Sequence, residues 1–488
     1  MTIQAIQAIQ ANQENNEFPQ TPLVEIEQTF AAQRLAFTAN KYPDIPSRIA
    51  QLKQLKLVLL AEQQALITTL SADFGHRSHD ETRISELLTL VEAINSSTKQ
   101  IKSWSKASRR KVAVIFQPAS NKVIYQPLGV VGIMVPWNYP LYLSLSPLIT
   151  AIAAGNRVMI KLSEFTPRFN QCLTEVLSKV FVQDQVAVIT GETQVSTVFS
   201  QLNFDHLFFT GSTNVGRLVM AAAAKNLTPV TLELGGKSPV IITDNVDMDL
   251  AAERICFGKS LNAGQTCVAP DYVLCPEHRK DEFISAYIKA FSRMYPSVKD
   301  NPDYSNIIND SQYQRLQSLL DDAIKSGAKL TYVNPANEVF DNSRKMPPVI
   351  IENCQSNARV ITEEIFGPIL PLVTYNSLEQ AIDYINERPR PLALYLFSFN
   401  KTEQELVSYQ THSGGICINN TIIHLAQGEL PFGGVGDSGM GHYHGLEGFQ
   451  TFSQAKSIHK VGKLSSGKFI FPPYGKWMHR LFYKLFIR

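Results

Sequence analysis

Between residues 122 and 244 the chain repeats short, continuously apolar runs: GVVGIMVP, VMIK, VAVIT, HLFFTG and PVIITD. Helix-like segments around 141–154, 169–182 and 215–224 separate them. A strand with one wet face alternates apolar and polar residues. A run that is apolar at every position suits a strand buried on both faces, as in a parallel sheet covered by helices. The pattern therefore predicts a doubly wound α/β domain. It resumes after about residue 250, with helical pattern at 281–294 and 377–387 and apolar strands at PVIIEN and ALYLFSFN, so a second α/β domain is expected. Upstream, Leu52, Leu55, Leu59, Leu66 and Leu70 follow the spacing of amphipathic helices that end near Gly75.

With 488 residues and 44% hydrophobic content, the chain can build real cores and is neither disordered nor a small stapled module. Its formal charge of +2 is too small for a surface that binds nucleic acid as a whole. The charge is unevenly placed: residues 448–488 hold eight Lys and Arg and no Asp or Glu, while the part before them is net acidic. Six scattered cysteines without a CxxC pair argue against a zinc module or a secreted disulfide framework. No metal is expected. The first basic residue is Arg34 and no uncharged apolar run reaches membrane-spanning length, so a cytoplasmic location, with membrane-peripheral contact as a variant of it, is expected. Residues 1–24, rich in Gln and Asn at their start, read as a flexible extension.

TLELGGKSP, with Glu233, precedes GQTCVAP, with Cys267, by 34 positions, and PWNYP, with Asn138, follows the first buried strand. GNRVMIKLSE, FTGSTNVG, EEIFGP and PFGGVGDSGMG stand at 155–164, 209–216, 363–368 and 431–441. Together these motifs resemble the aldehyde dehydrogenase superfamily over about 25–459, and AAAAKNLTPVTLELGGKSP is most similar to its class 3 branch, which includes fatty-aldehyde dehydrogenases. The resemblance implies a dinucleotide-binding domain from 25–110 and 126–233, a catalytic domain at 234–418, and a small β oligomerisation element from 111–125 and 419–460; beyond it, charge and spacing mark a basic amphipathic tail at 461–488. It also implies a homodimer.

The chemistry can be argued beside the resemblance. Oxidising an aldehyde to an acid needs a tetrahedral adduct that expels hydride, and a thiol adds readily to a carbonyl. A lone cysteine is more often an inert core residue, but Cys267 in GQTC fits the nucleophile. The other five read as structural. The oxyanion needs preorganised donors, and Asn138 with a backbone N–H is the candidate, although Asn-Tyr-Pro alone would read as a turn. Hydrolysis of the thioester needs a carboxylate of tuned pKa. Glu233 matches the family's general base, with Glu364 left open as a partner in that work.

GSTNVG is not the strict GxGxxG fingerprint, since Thr213 replaces its middle glycine. A Gly-containing turn that opens a helix still offers free N–H groups to a pyrophosphate. The resemblance extends the cofactor set to Trp137, Lys161, Glu164, Gly211, Ser212, Thr213, Val215, Gly216, Glu364 and Phe366, with Lys161 and Glu164 at the adenosine ribose. Relatives usually have Pro where this chain has Leu162. NAD is the expected cofactor, with NADP the alternative, because a carboxylate near the 2′-hydroxyl repels a 2′-phosphate. His442 and His444 form a His-x-His too sparse for a metal, and His424 reads as lining a substrate entrance or as a surface-loop residue.

In the tail, Trp477, Leu481 and Leu485 share a helical stripe beside Met478, Phe482 and Phe486, with Lys476, Arg480, Lys484 and Arg488 elsewhere. Such a helix either lies on an anionic membrane surface or packs on protein. The expected activity is NAD(P)-dependent oxidation of apolar aldehydes, medium- or long-chain aliphatic or other, to acids. The rivals are a CoA-acylating enzyme and a non-catalytic, membrane-peripheral or structural protein that keeps the fold.

Overall fold

The computed structural model describes residues 18–341, 343–463, 467 and 470–487. The greater part of the expected extension, residues 1–17, lies outside them, as does Arg488. A helical layer comes first: Leu23–Ala39, Ile45–Ala61, Gln63–Phe74 and Thr89–Trp104. Asp44 caps the second helix through the Ser47 N–H, and Gly75, at φ 74°, closes the third. All five leucines of the predicted stripe are buried.

The first sheet has six strands in the spatial order Gly439–Met440, Val230–Leu234, His206–Gly211, Val130–Met134, Arg157–Lys161 and Val186–Ile189. Only the short Gly439–Met440 edge runs antiparallel. Helices Pro140–Ala154, Pro167–Ser178, Thr193–Gln201 and Thr213–Ala224 connect the strands. The chain winds outward from Val130–Met134 in one direction and then returns to add His206–Gly211 on its other side. The carboxyl ends of these two neighbours form the topological switch point where α/β sheets bind ligands.

The second sheet has seven strands, in the order Lys329–Tyr332, Val349–Glu352, Ile369–Tyr375, Tyr272–Pro276, Pro239–Ile242, Ala393–Phe397 and Gly415–Ile418, parallel except at the Lys329–Tyr332 edge. Pro239–Ile242, part of the apolar run PVIITD, joins this sheet and not the first. The change of sheet therefore falls on the turn that follows Leu234. A third, antiparallel sheet joins Ser108–Arg110, Ala119–Pro127 and Ser453–Val461.

Leu162, where the family resemblance leads to the expectation of proline, is used by the sheet. Its N–H donates to Ile189 O at 3.0 Å, a sheet-extending bond that proline cannot make, and its side chain is fully buried.

Candidate active site

Cys267 ends a loop that folds against local preference. Asn262, Ala263 and Gly264 have φ of 52°, 51° and 75°, and two of the three carry a side chain in this left-handed region. A Cβ on Gly264 would run into Gly367 O. The conformation is held by hydrogen bonds. Asn262 Nδ2 donates to Asn138 O (3.1 Å), Gln265 Nε2 donates to Asn262 O and Asn306 O (both 2.9 Å), and Ile308 N–H donates to Gln265 Oε1 (2.9 Å). Asn138 Nδ2 donates one proton to Gln265 O at 3.2 Å, two residues before Cys267, and Tyr139 OH pairs with Thr266 Oγ1 at 2.8 Å.

Behind this loop stands a charge pair that the motif reading missed. Arg77 and Glu86, both with no exposed side-chain surface, approach to 3.0 Å. Arg77 Nη1 donates to Asn138 O at 2.6 Å, and its guanidinium lies over the rings of Phe74 and Tyr139. Glu86 Oε2 accepts from Tyr142 N–H, while Glu81 Oε1 accepts from Asn262 N–H. One signal was available: Glu86 falls in the apolar stripe continued by Leu90, Ile94 and Ile101, all buried.

Two cavities meet at Cys267. A cleft of about 630 Å³ is lined by Trp137, Asn138, Gly211, Ser212, Thr213, Glu233, Cys267, Glu364 and Phe366. A narrower one of about 160 Å³ is lined by Tyr139, Tyr142, Phe257, Leu261, Ile422, Phe432 and Tyr443 with other apolar groups, and it too includes Glu233 and Cys267. Burial first, then the charges of Glu364 and Glu233, push the Cys267 thiol up to about 12. Burial alone holds Glu233 well above the ordinary carboxylate range, and among the described residues neither of its oxygens has a hydrogen-bond partner.

Glu364 is held differently. Its carboxylate rests where a side chain on Gly235 would have to be, and it accepts from Gly236 N–H. Burial and then Asp271 raise it to about 7, opposed by that hydrogen bond, Lys237 and Arg315. Phe366, at φ 50°, sets its ring edge-on to Trp137 at 5.3 Å.

The remaining sites separate. Ser212 caps helix Thr213–Ala224, accepting from Val215 N–H at 3.4 Å, so the N-terminus of that helix opens on the larger cleft. Gly216 faces the Leu234 side chain, where it lets helix and strand approach, and Val215 points outward, 44% exposed. Lys161 is buried, donates to Leu162 O at 2.7 Å and lies 3.8 Å from Glu164 Oε2. Glu164 lines a separate cavity of about 420 Å³. His444 is buried, and its Nε2 pairs with Tyr142 OH at 2.9 Å. His424, half-buried, packs on Tyr395 and Phe432. A dinucleotide fits this frame: a capped helix N-terminus for the diphosphate beside the switch point, and a bare Gly235 that keeps Glu364 in the cleft.

A parallel sheet whose switch point opens on a half-buried thiol between two cavities defines an α/β oxidoreductase. The chain belongs to the aldehyde dehydrogenase family, whose profile matches residues 2–458. It is 52% identical to a probable coniferyl aldehyde dehydrogenase of Pseudomonas aeruginosa, over 96% of this chain and 98% of that one. It is 41% identical to the 4,4'-diaponeurosporen-aldehyde dehydrogenase of Staphylococcus aureus, over 94% of this chain and 99% of that one. The solved structure of S. aureus AldH in its substrate-bound state is similar with a TM-score of 0.89 and 39% identity, covering 95% of this chain and 99% of that one. The protein is thus an aldehyde-oxidising enzyme that uses NAD(P).

Proposed function

We propose that the enzyme oxidises apolar aldehydes to carboxylic acids through a thiohemiacetal and then a thioester on Cys267, with Glu233 as the hydrolytic base. The observation that carries this reading is the shared position of Cys267 and Glu233 at the junction of the apolar tunnel and the wider cleft. Sγ adds to the carbonyl carbon as its proton passes to solvent through the cleft. The resulting oxyanion takes hydrogen bonds from the Asn138 side chain and the Cys267 N–H. Collapse of that oxyanion restores a C=O bond and drives off the hydrogen as hydride. Trp137, Glu364 and Phe366 would hold the nicotinamide, which would supply the hydride acceptor when bound. Glu233 then removes a proton from the water that attacks the thioester, and the thiol leaves as the acid forms.

The carboxylate of Glu233, unpartnered among the described residues, suits a base, whereas Glu364, which accepts from Gly236 N–H and lies in the field of Lys237 and Arg315, suits a ribose-holding group. Glu164, Glu175 and Glu192 surround the cavity of about 420 Å³, and their charge favours NAD over NADP there. Tyr139, Tyr142, Phe257, Phe432 and Tyr443 make the tunnel aromatic. That lining, with the substrates in the two relatives' names, supports flat conjugated aldehydes as well as aliphatic ones.

The test is initial-rate kinetics on acetaldehyde, decanal and cinnamaldehyde, with NAD and with NADP. NAD should be preferred, and the two larger aldehydes should exceed acetaldehyde in kcat/KM by at least about tenfold, on the order of 1.4 kcal/mol of tunnel contact. Equal efficiency on all three would end the tunnel reading. Product analysis with and without coenzyme A decides against the acylating rival if free acid forms at the same rate in both. The six unpaired cysteines suit a reducing cytoplasm.

The tail supports a second contact. Helix Trp477–Phe486 leaves Trp477, Leu481, Leu485 and Phe486 exposed beside Lys476, Arg480 and Lys484, with no acid. Among the described residues no helix is long and apolar enough to cross a membrane. Peripheral binding to an anionic bilayer follows from that charge and apolarity. Co-sedimentation with anionic but not neutral vesicles is the expected result.

A further inference from the structure

The first described residues cross the far end of the nucleotide-type sheet. Thr21 N–H donates to Thr190 O at 2.9 Å, and Thr190 N–H returns a bond to Thr21 Oγ1 at 3.0 Å. Thr190 Oγ1 donates to Pro19 O (3.3 Å), and Glu192 N–H donates to Gln20 Oε1 (3.3 Å). The Arg168 guanidinium sits 5.4 Å from the centre of the Phe18 ring. These contacts tie the strap across the turn that follows Val186–Ile189, the outer strand of the half-sheet that carries Lys161 and Glu164. Phe18, Pro19 and Gln20 thereby line the cavity of about 420 Å³ together with Glu164, Gly191 and Glu192.

In a doubly wound sheet the two halves of a dinucleotide lie beyond the carboxyl ends of the strands on either side of the switch point. The family resemblance sets Trp137, Glu364 and Phe366 at the nicotinamide, so the pocket at Glu164, past the neighbouring strand, falls to the adenosine side. A ring, a proline and a side-chain amide are well suited to a purine, which presents a flat face and a hydrogen-bonding edge. We propose that residues 18–20 are a wall of the adenosine subsite, and that Phe18 and Gln20 bind the adenosine half of the cofactor while taking no part in the chemistry. The proposal rests on the family's use of NAD(P) and not on the roles given to Cys267 and Glu233.

The test is calorimetric titration of the full-length Phe18→Ala and Gln20→Ala enzymes with AMP, NAD⁺ and nicotinamide mononucleotide, beside steady-state kinetics. Stacking of a base on an aromatic ring is worth enough that AMP and NAD⁺ affinity should fall at least about fivefold in Phe18→Ala. KM for NAD⁺ should rise by the same factor, with kcat at saturation unchanged and mononucleotide binding intact. A smaller fall in the same direction is expected for Gln20→Ala. AMP affinity within twofold of the parent in both variants overturns the proposal, as does an equal loss of AMP and mononucleotide binding. An enzyme that shows these binding changes but forms no acid would refute the catalytic roles while leaving the strap in place.

Discussion

Glu233 and Cys267 line the same junction of two cavities, each made harder to ionise by its surroundings. The active form of the base is the ionised one, and burial raises the pH at which it ionises. Turnover in the hydrolytic step should therefore increase as pH rises through that raised value. In Glu233→Gln this limb should vanish, with kcat lower by about 10²–10⁴ and acyl-enzyme trapped on the sulfur, seen by mass spectrometry. An unchanged pH profile would assign the base elsewhere. Cys267→Ala should abolish turnover and keep NAD⁺ binding. Asn138→Ala should lower kcat by about 10²–10³, as loss of one oxyanion donor does in acyl-transfer sites. That these three residues line one cleft was legible in the sequence because each sits in a long motif. Tyr142 and Tyr443, which line the tunnel, were not, since nothing local separates an aromatic facing a cavity from one in a core.

The strands announced themselves because a parallel sheet between helices requires apolar residues at consecutive positions. Pro239–Ile242 read equally well in either sheet, because burial on both faces carries no record of which neighbours a strand has. The Asn262–Gly264 turn was likewise silent, since Ala263, between an asparagine and a glycine that both tolerate a left-handed backbone, gives no sign of it. The Arg77–Glu86 pair behind that turn has a measurable consequence. In Glu86→Gln the Arg77 charge stays buried without its counterion, which should cost about 3–5 kcal/mol. The urea midpoint should fall, and kcat with it, because Arg77 holds Asn138 O. Gly235→Ala probes the turn after Val230–Leu234: a methyl there must displace the Glu364 carboxylate, so NAD⁺ affinity should drop while the fold, followed by circular dichroism, persists. Retained affinity would detach Glu364 from the cofactor.

Across the molecule, helix Thr213–Ala224 leaves Val215 and Leu218 at 44% and 70% exposed, and Leu227 just beyond it at 89%. Together with the Ser453–Val461 edge of the three-stranded sheet, this supports a homodimer. Light scattering should give twice the 54.5 kDa chain mass, and Leu218→Glu should shift it toward the single chain.

The convergence of two cavities on one sulfur has a kinetic corollary. On the proposed assignment, aldehyde and nucleotide come in by separate doors, which would give the finished acid its own way out without waiting for the dinucleotide to clear the other side. A non-reactive acid analogue should accordingly compete with the aldehyde in the steady state and leave the apparent hold on the nucleotide untouched.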